Sequence, residues 1–306
     1  MKKQKNAKSN CKTKIKSMDK SYRMPLYAAV LCLSFSLILF FGVLFASVGM
    51  KKNTEKEEML HEECELQPEN QTEYERKYYE IIPEDLLLLK RYREINDEVV
   101  GIITIPDTIL HHPLMQSPRS GECFYLSHDL YGNHNFHGIP FLTLNSNLSG
   151  EDGNCIIYGH NIIHTEPHDV FCDLVHYEEL SYYKKHPVIE VVTEKGTARY
   201  LIFLYAIMDT SDSDSFVYWE DTSFPDDRSF NEYMSEMEKR NWIKTELPIT
   251  RYDAYLTIST CSLELAHSGT NRMVVMAKRM AVGEEYETYV NASKMKENPL
   301  LPQKLR

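Results

Sequence analysis

The sequence contains no Cys-x-x-Cys pair, and its seven cysteines (Cys11, Cys32, Cys64, Cys123, Cys155, Cys172 and Cys261) are widely scattered. That spacing argues against a zinc ribbon and against a dense disulfide scaffold. No internal repeat of about 20–50 residues is visible, so solenoid and propeller architectures lose their usual signature. Charge is absent altogether from residues 26–48, and positive charge is concentrated before them. Residues 1–25 hold nine Lys/Arg against Asp19 alone, a local charge of +8, while the whole chain carries −11, so the part after residue 48 carries −19. So acidic a surface repels polyanions, and nucleic acid is not expected as a partner.

What is present begins with the uncharged run itself, LYAAVLCLSFSLILFFGVLFASV, 23 residues from Leu26 to Val48. As a helix it is roughly 35 Å long, enough to cross a hydrocarbon layer of about 30 Å. A secretory signal has a shorter apolar region and a small-residue cleavage site, and neither is evident. The run therefore reads as an uncleaved transmembrane anchor. The basic flank places the N-terminus in the cytoplasm by the positive-inside rule, and everything after Val48 outside the cell. Five cysteines then lie outside, an odd number, which leaves at least one thiol unpaired within a single chain.

Residues 50–75 are rich in Glu, Lys, Asn and Gln and read as a stalk or frayed helix. From Tyr74 to about Asn96 the apolar residues fall at near-helical spacing, with Pro83 expected to divide the stretch into two helices that pack on the following domain. From Val99 onward the chain turns to short β-rich runs: 101–105, 138–142, 154–158, 188–193, 198–208, 254–260 and 272–278. Such runs predict a mainly antiparallel sheet or a barrel. A helix over about 229–243 interrupts them. Ser229 and Glu232 fit a capping box, and Phe230, Tyr233, Met234 and Met237 form one apolar face. The polar segment after Tyr289 is expected to be disordered or a short cap.

Three segments carry chemistry. Ile156–Asn161 is an apolar strand ending in a Gly-His-Asn turn; Leu256–Ser262 is a β-branched strand ending at Cys261; Asn271–Lys278 is a strand opening with Arg272. A thiolate is the strongest side-chain nucleophile near neutral pH for attack on a carbonyl. A histidine is needed to protonate a leaving amine and to activate an incoming one. A fixed guanidinium can hold a tetrahedral oxyanion without titrating. Taken singly, each residue has a bland reading: a buried cysteine, a turn histidine, a solvated edge arginine. A zinc hydrolase built on His160-x-x-x-His164 is a rival, but that spacing suits a metal only on a helix. Here it follows a strand, lacks the adjacent Glu and has no obvious third ligand.

The combination resembles the sortases of Gram-positive bacteria, whose signature is a strand-end Gly-His, a Thr-Leu-x-Thr-Cys strand and an arginine opening the next strand. This chain has Tyr158-Gly159-His160, Thr257-Ile258-Ser259-Thr260-Cys261 and Arg272 before Met273-Val274-Val275. The resemblance covers about residues 84–280. It includes Val100–Pro106, His112–Gln116 and Gly138–Leu142 as opening strands, and the helix-bearing insert before the cysteine strand resembles class B members. The chain departs from the pattern at Ile258 for Leu, at Ile102 where relatives carry Trp, at Thr143 where they often carry Asp, and in a Cys261–Arg272 spacing about one residue longer.

The resemblance implies a mainly β fold: a closed sortase-like barrel with N-terminal helices and one inserted helix before the cysteine strand. It implies a basic cytoplasmic tail over 1–25, an anchor over 26–48, a stalk and leading helix over 49–83, a catalytic domain over 84–283 and a polar tail over 284–306. The implied catalytic residues are His160, Cys261 and Arg272, with Tyr158, Ser259 and Thr260 contacting substrate and no metal or cofactor. The implied reaction cleaves a C-terminal sorting motif of a secreted protein, holds the acyl group on Cys261 as a thioester, and transfers it to an amine of a peptidoglycan precursor. A pilus-polymerising relative would use a pilin lysine instead. A non-enzymatic surface receptor would explain the anchor and the acidic domain but not the Cys/His/Arg set.

Overall fold

The computed structural model describes residues 71–162, 169–211, 216–220, 222–261 and 270–302. The basic segment, the apolar run 26–48 and most of the expected stalk lie outside them. The described chain opens with helix α1 (Glu73–Tyr78), whose N-terminus is closed by a capping box between Thr72 and Glu75. Pro83 then divides the helical stretch as expected. It sits in the first turn of α2 (Pro83–Ile95), where its missing N–H leaves no hydrogen bond unmade, and Glu84 and Asp85 favour the same end electrostatically. Leu86 and Leu89 of α2 are buried against Val99, Ile102, Met115 and Tyr125.

The strands, in chain order, are β1 (Val99–Thr104), β2 (His111–Met115), β3 (Phe141–Leu142), β4 (Gly153–Tyr158), β5 (Asn161–Ile162), β6 (Asp169–Val170), β7 (Val188–Thr193), β8 (Gly196–Asp209), β9 (Ile243–Lys244), β10 (Ala254–Cys261), β11 (Asn271–Arg279) and β12 (Lys294–Met295). Eight of them close a barrel in the order β1-β2-β3-β4-β10-β11-β8-β7. Most neighbours are antiparallel, but β2 with β3 and β4 with β10 run parallel. Strand β3 is shorter than the run 138–142 because Gly138 adopts φ +61° and Pro140 has no N–H to donate.

Strands β8, β10 and β11 read as continuous apolar runs rather than as alternating ones because both faces are covered. One faces the barrel interior. On β8 and β10 the other lies under helix α4 (Asp227–Arg240), the second long helix, which follows the short α3 (Leu180–Lys185). Phe230, Tyr233, Met234 and Met237 of α4 are buried, and the Phe230 ring lies 6.0 Å from that of Tyr255 on β10. The N-cap lies three residues before the expected one. Asp226 is the N-cap and accepts the Ser229 N–H, so Ser229 is the third helical residue. An ionised carboxylate at a helix N-terminus gains from the dipole as well as from the hydrogen bond. The C-terminal segment takes the form of a cap: α5 (Glu287–Ala292) is followed by β12, which pairs with β9.

Candidate active site

The parallel pairing of β4 with β10 decides where the chemistry-bearing residues meet. Parallel strands finish at the same end, and the register pairs Tyr158 with Ser259. His160 and Cys261 each follow two residues later. Strand β11 runs antiparallel to β10, so its beginning lies at that same end, and Arg272 stands directly opposite Cys261. Neighbouring strands are about 4.8 Å apart. The backbone of Cys261 is therefore flanked by the His160 turn on one side and by Arg272 on the other, about one strand spacing each way.

Two side chains lock this end together. The Thr260 hydroxyl, buried, donates to the Gly159 carbonyl at 2.8 Å, tying the cysteine strand to the residue before His160. Ser259, also buried, shares a 2.7 Å hydrogen bond with the Tyr218 hydroxyl. Deeper in the strand pair, the Thr257 hydroxyl donates to Asn154 Oδ1 at 2.8 Å, and Asn154 reaches Tyr233 of α4. Gly159 is required by its neighbours: a Cβ there would lie 2.6 Å from the Phe171 ring. The close approach of Phe171, whose N–H donates to the His160 carbonyl, fixes how the chain leaves β4.

His160 is half-buried, and burial holds its imidazole below the usual value near 6.5. The Leu126 carbonyl, which accepts a hydrogen bond from the ring, pushes the other way, and the nearby His137 adds to the lowering. The imidazole is therefore neutral near pH 7 and able to accept a proton. Its ring lies 6.4 Å from that of Phe136 at 21°, nearly parallel. Leu126, Phe136 and His137 all belong to the segment between β2 and β3. Gly138 seats that segment, since a Cβ there would lie 2.6 Å from the Tyr125 and Leu126 carbonyl oxygens.

Of the residues expected to contact substrate, Tyr158 is half-buried and packs its ring 5.8 Å from Phe141. Burial, and then the neighbouring Tyr218, raise its hydroxyl well above the ordinary range. The Ser259 and Thr260 hydroxyls are committed to the contacts above, and their backbones pair with Val274 and Met273 of β11, Ser259 also with Tyr158 of β4. Arg272 is half-buried, and its Nη1 donates to the Asn271 carbonyl at 3.0 Å. Arg279 lies at the opposite end of β11 and is 3% exposed. Its guanidinium is held by the Tyr74 and Tyr200 hydroxyls and the Gly150 carbonyl at 2.7–2.9 Å, between the rings of Tyr79 and Tyr200.

Among the other cysteines, Cys123 is an exposed free thiol. Cys155 is a buried one, and burial pushes its thiol up to about 12. His160 stands on a strand-end turn that leads into β5, not on a helix, and His164 of the alternative zinc pair lies outside the described residues. Sequence reasoning did not find Leu126, Phe136 and His137 beside His160. The available signal was compositional: His128, His134, Phe136 and His137 fall within ten residues.

Comparison with known proteins gives a consistent result. A family model described as a sortase domain matches residues 103–280. The chain is 30% identical over 190 residues to Sortase B of Staphylococcus aureus, covering 62% of this chain and 73% of that protein. The crystal structure of Sortase B from Staphylococcus aureus complexed with MTSET matches with a TM-score of 0.56 at 26% identity, over 76% of this chain and 87% of the solved one. A crystal structure of Sortase B complexed with triglycine matches with a TM-score of 0.55 at 25% identity, over 76% of this chain and 99% of the solved one.

Proposed function

Since this chain belongs to the sortase family, in its class B branch, and is a cysteine transpeptidase acting on sorting motifs, we propose that Cys261, His160 and Arg272 carry its reaction. The observation that supports this assignment is the strand register: β4 and β10 end together while β11 begins there, with Arg272 opposite Cys261.

In this reading neutral His160 takes the Cys261 proton, and the thiolate attacks the scissile carbonyl. Arg272 donates to the oxyanion that develops, where a preorganised donor within about 3 Å contributes most. As the tetrahedral intermediate collapses, the C–N bond breaks and imidazolium His160 protonates the leaving amine. A thioester remains on Cys261. An incoming amine loses its proton to His160, attacks the thioester and expels the thiolate, so one amide replaces another with no redox change. Tyr158 forms a wall of the peptide site, and Ser259 and Thr260 shape its floor from the end of β10.

The substrate class is secreted proteins with a C-terminal sorting motif, and the acceptor is an amine of a peptidoglycan precursor. The solved Sortase B complexed with triglycine is in keeping with a glycine-like amine as acceptor. Residues 26–48 anchor the enzyme by a single helix, with 1–25 in the cytoplasm, 49–83 as stalk and leading helix, the catalytic domain of 84–283 outside, and 284–306 capping it. The test is to incubate the full-length protein with a pool of five-residue sorting-motif peptides and triglycine and to identify products by mass. Cleavage with triglycine addition is expected. Absence of both cleavage and ligation across the pool would remove the assignment.

A further inference from the structure

We propose that Phe136 lines the subsite through which the incoming amine reaches the thioester, and that it favours amine over water there. The proposal rests on the reading that His160 is the acid–base group. Phe136 is 63% exposed, an unusual position for a large apolar ring, yet its ring lies nearly parallel to the His160 imidazole at 6.4 Å.

The backbone that carries it is pinned on both sides. Asn135 N–H donates to the Ser127 carbonyl at 2.9 Å, Gly138 N–H to the Asn135 carbonyl at 3.0 Å, and His137 N–H to Asn135 Oδ1 at 3.0 Å. Upstream, Asp129 Oδ1 accepts from the Tyr131 and Asn133 N–H groups, both at 2.9 Å. The ring is thus presented outward from an ordered turn rather than collapsed onto the core.

The occupant follows from the chemistry. The imidazole must touch both the departing and the arriving amine, so a ring alongside it borders the path that both take. A flat apolar face there receives the methylene and peptide groups of the acceptor and displaces water that would otherwise hydrolyse the thioester. In the productive step the thioester C–S bond breaks, an amide C–N bond forms, the amine proton passes to His160 and sulfur leaves as thiolate. In the competing step water supplies the nucleophile and yields a free acid.

The ratio of these two products from one shared thioester does not depend on how fast the thioester forms, so it isolates the subsite. Full-length protein is given the peptide pool with increasing triglycine, and ligated and hydrolysed products are counted by mass. Phe136→Ala is expected to lower the ligated-to-hydrolysed ratio about five- to tenfold, the size of one lost aromatic contact, and to raise the apparent KM for triglycine. Phe136→Tyr keeps the ring and restores the ratio, Phe136→Leu falls between, and Tyr131→Ala, which removes an exposed ring five positions earlier on the same segment, leaves it unchanged. A ratio within twofold of wild type in both Phe136→Ala and Phe136→Leu overturns the inference while the active-site reading stands. Absence of both products from wild type overturns both.

Discussion

The hydroxyl of Thr260 offers a direct perturbation of how the site is assembled. It is 2% exposed and donates to the Gly159 carbonyl at 2.8 Å, across the parallel strand pair and one residue before His160. Thr260→Val keeps the shape and the β-branching that suits a strand, and removes only this bond. A buried carbonyl deprived of its partner costs about 1–2 kcal/mol. For a domain of this size that lowers Tm by about 2–8 °C. The larger effect falls on geometry, since a displacement of about 1 Å between reacting groups costs on the order of a hundredfold in rate. Thr260→Val is therefore expected to fold and to lose about ten- to a hundredfold in kcat/KM for peptide cleavage, while Thr260→Ser retains most activity. Thermal melts and steady-state cleavage on the same samples decide. A normal rate with a lowered Tm would reduce the bond to a structural tie, and no change in either would refute the contact.

The two arginines of β11 separate rate from stability. Arg272→Ala should lower kcat by about 10²–10³ with a smaller effect on KM, and Arg272→Lys should recover only part of it. Arg279→Ala instead strands the Tyr200 hydroxyl and the Gly150 carbonyl and should cost about 3 kcal/mol in urea unfolding; equal, mild effects from both would remove Arg272 from the mechanism. Because His137 helps to lower the His160 pKa, His137→Gln should raise it, as read from the imidazole shifts by NMR; an unchanged or lower titration point would contradict the assigned cause. The sign for stability follows: a histidine held below its unfolded pKa lets the unfolded chain bind the extra proton first, so the His160 contribution falls as pH drops below about 6.5. Protease added to intact, wall-stripped cells should degrade the catalytic domain, and full protection would reverse the proposed topology.

Much of the barrel was legible from residue type. The runs at 154–158, 188–193 and 254–260 lie within a residue of β4, β7 and β10 because β-branched residues and bounding turns mark them locally. The direction of pairing was not legible. The parallel contact of β4 with β10 joins residues about a hundred positions apart, and no local pattern distinguishes it from an antiparallel one. The α4 face was readable from Phe230, Tyr233, Met234 and Met237, but the cap was misplaced because Asp226 competes with Ser229 for the same role and also carries charge. The three segments bearing His160, Cys261 and Arg272 were found by motif. The turn that carries Leu126, Phe136 and His137 to His160 has no periodicity; its position is set by Gly138 packing on two carbonyls, a constraint visible only in three dimensions.

The central claim is that Cys261 carries the acyl group, and trapping that adduct tests it most directly. Full-length protein mixed with the peptide pool, quenched in acid before turnover completes and digested, should yield a Cys261 peptide heavier by the acyl fragment. The added mass should be released by hydroxylamine, absent in Cys261→Ala, and undiminished in Cys123→Ala. An acyl adduct on a different residue, or cleavage that persists in Cys261→Ala, would contradict the account.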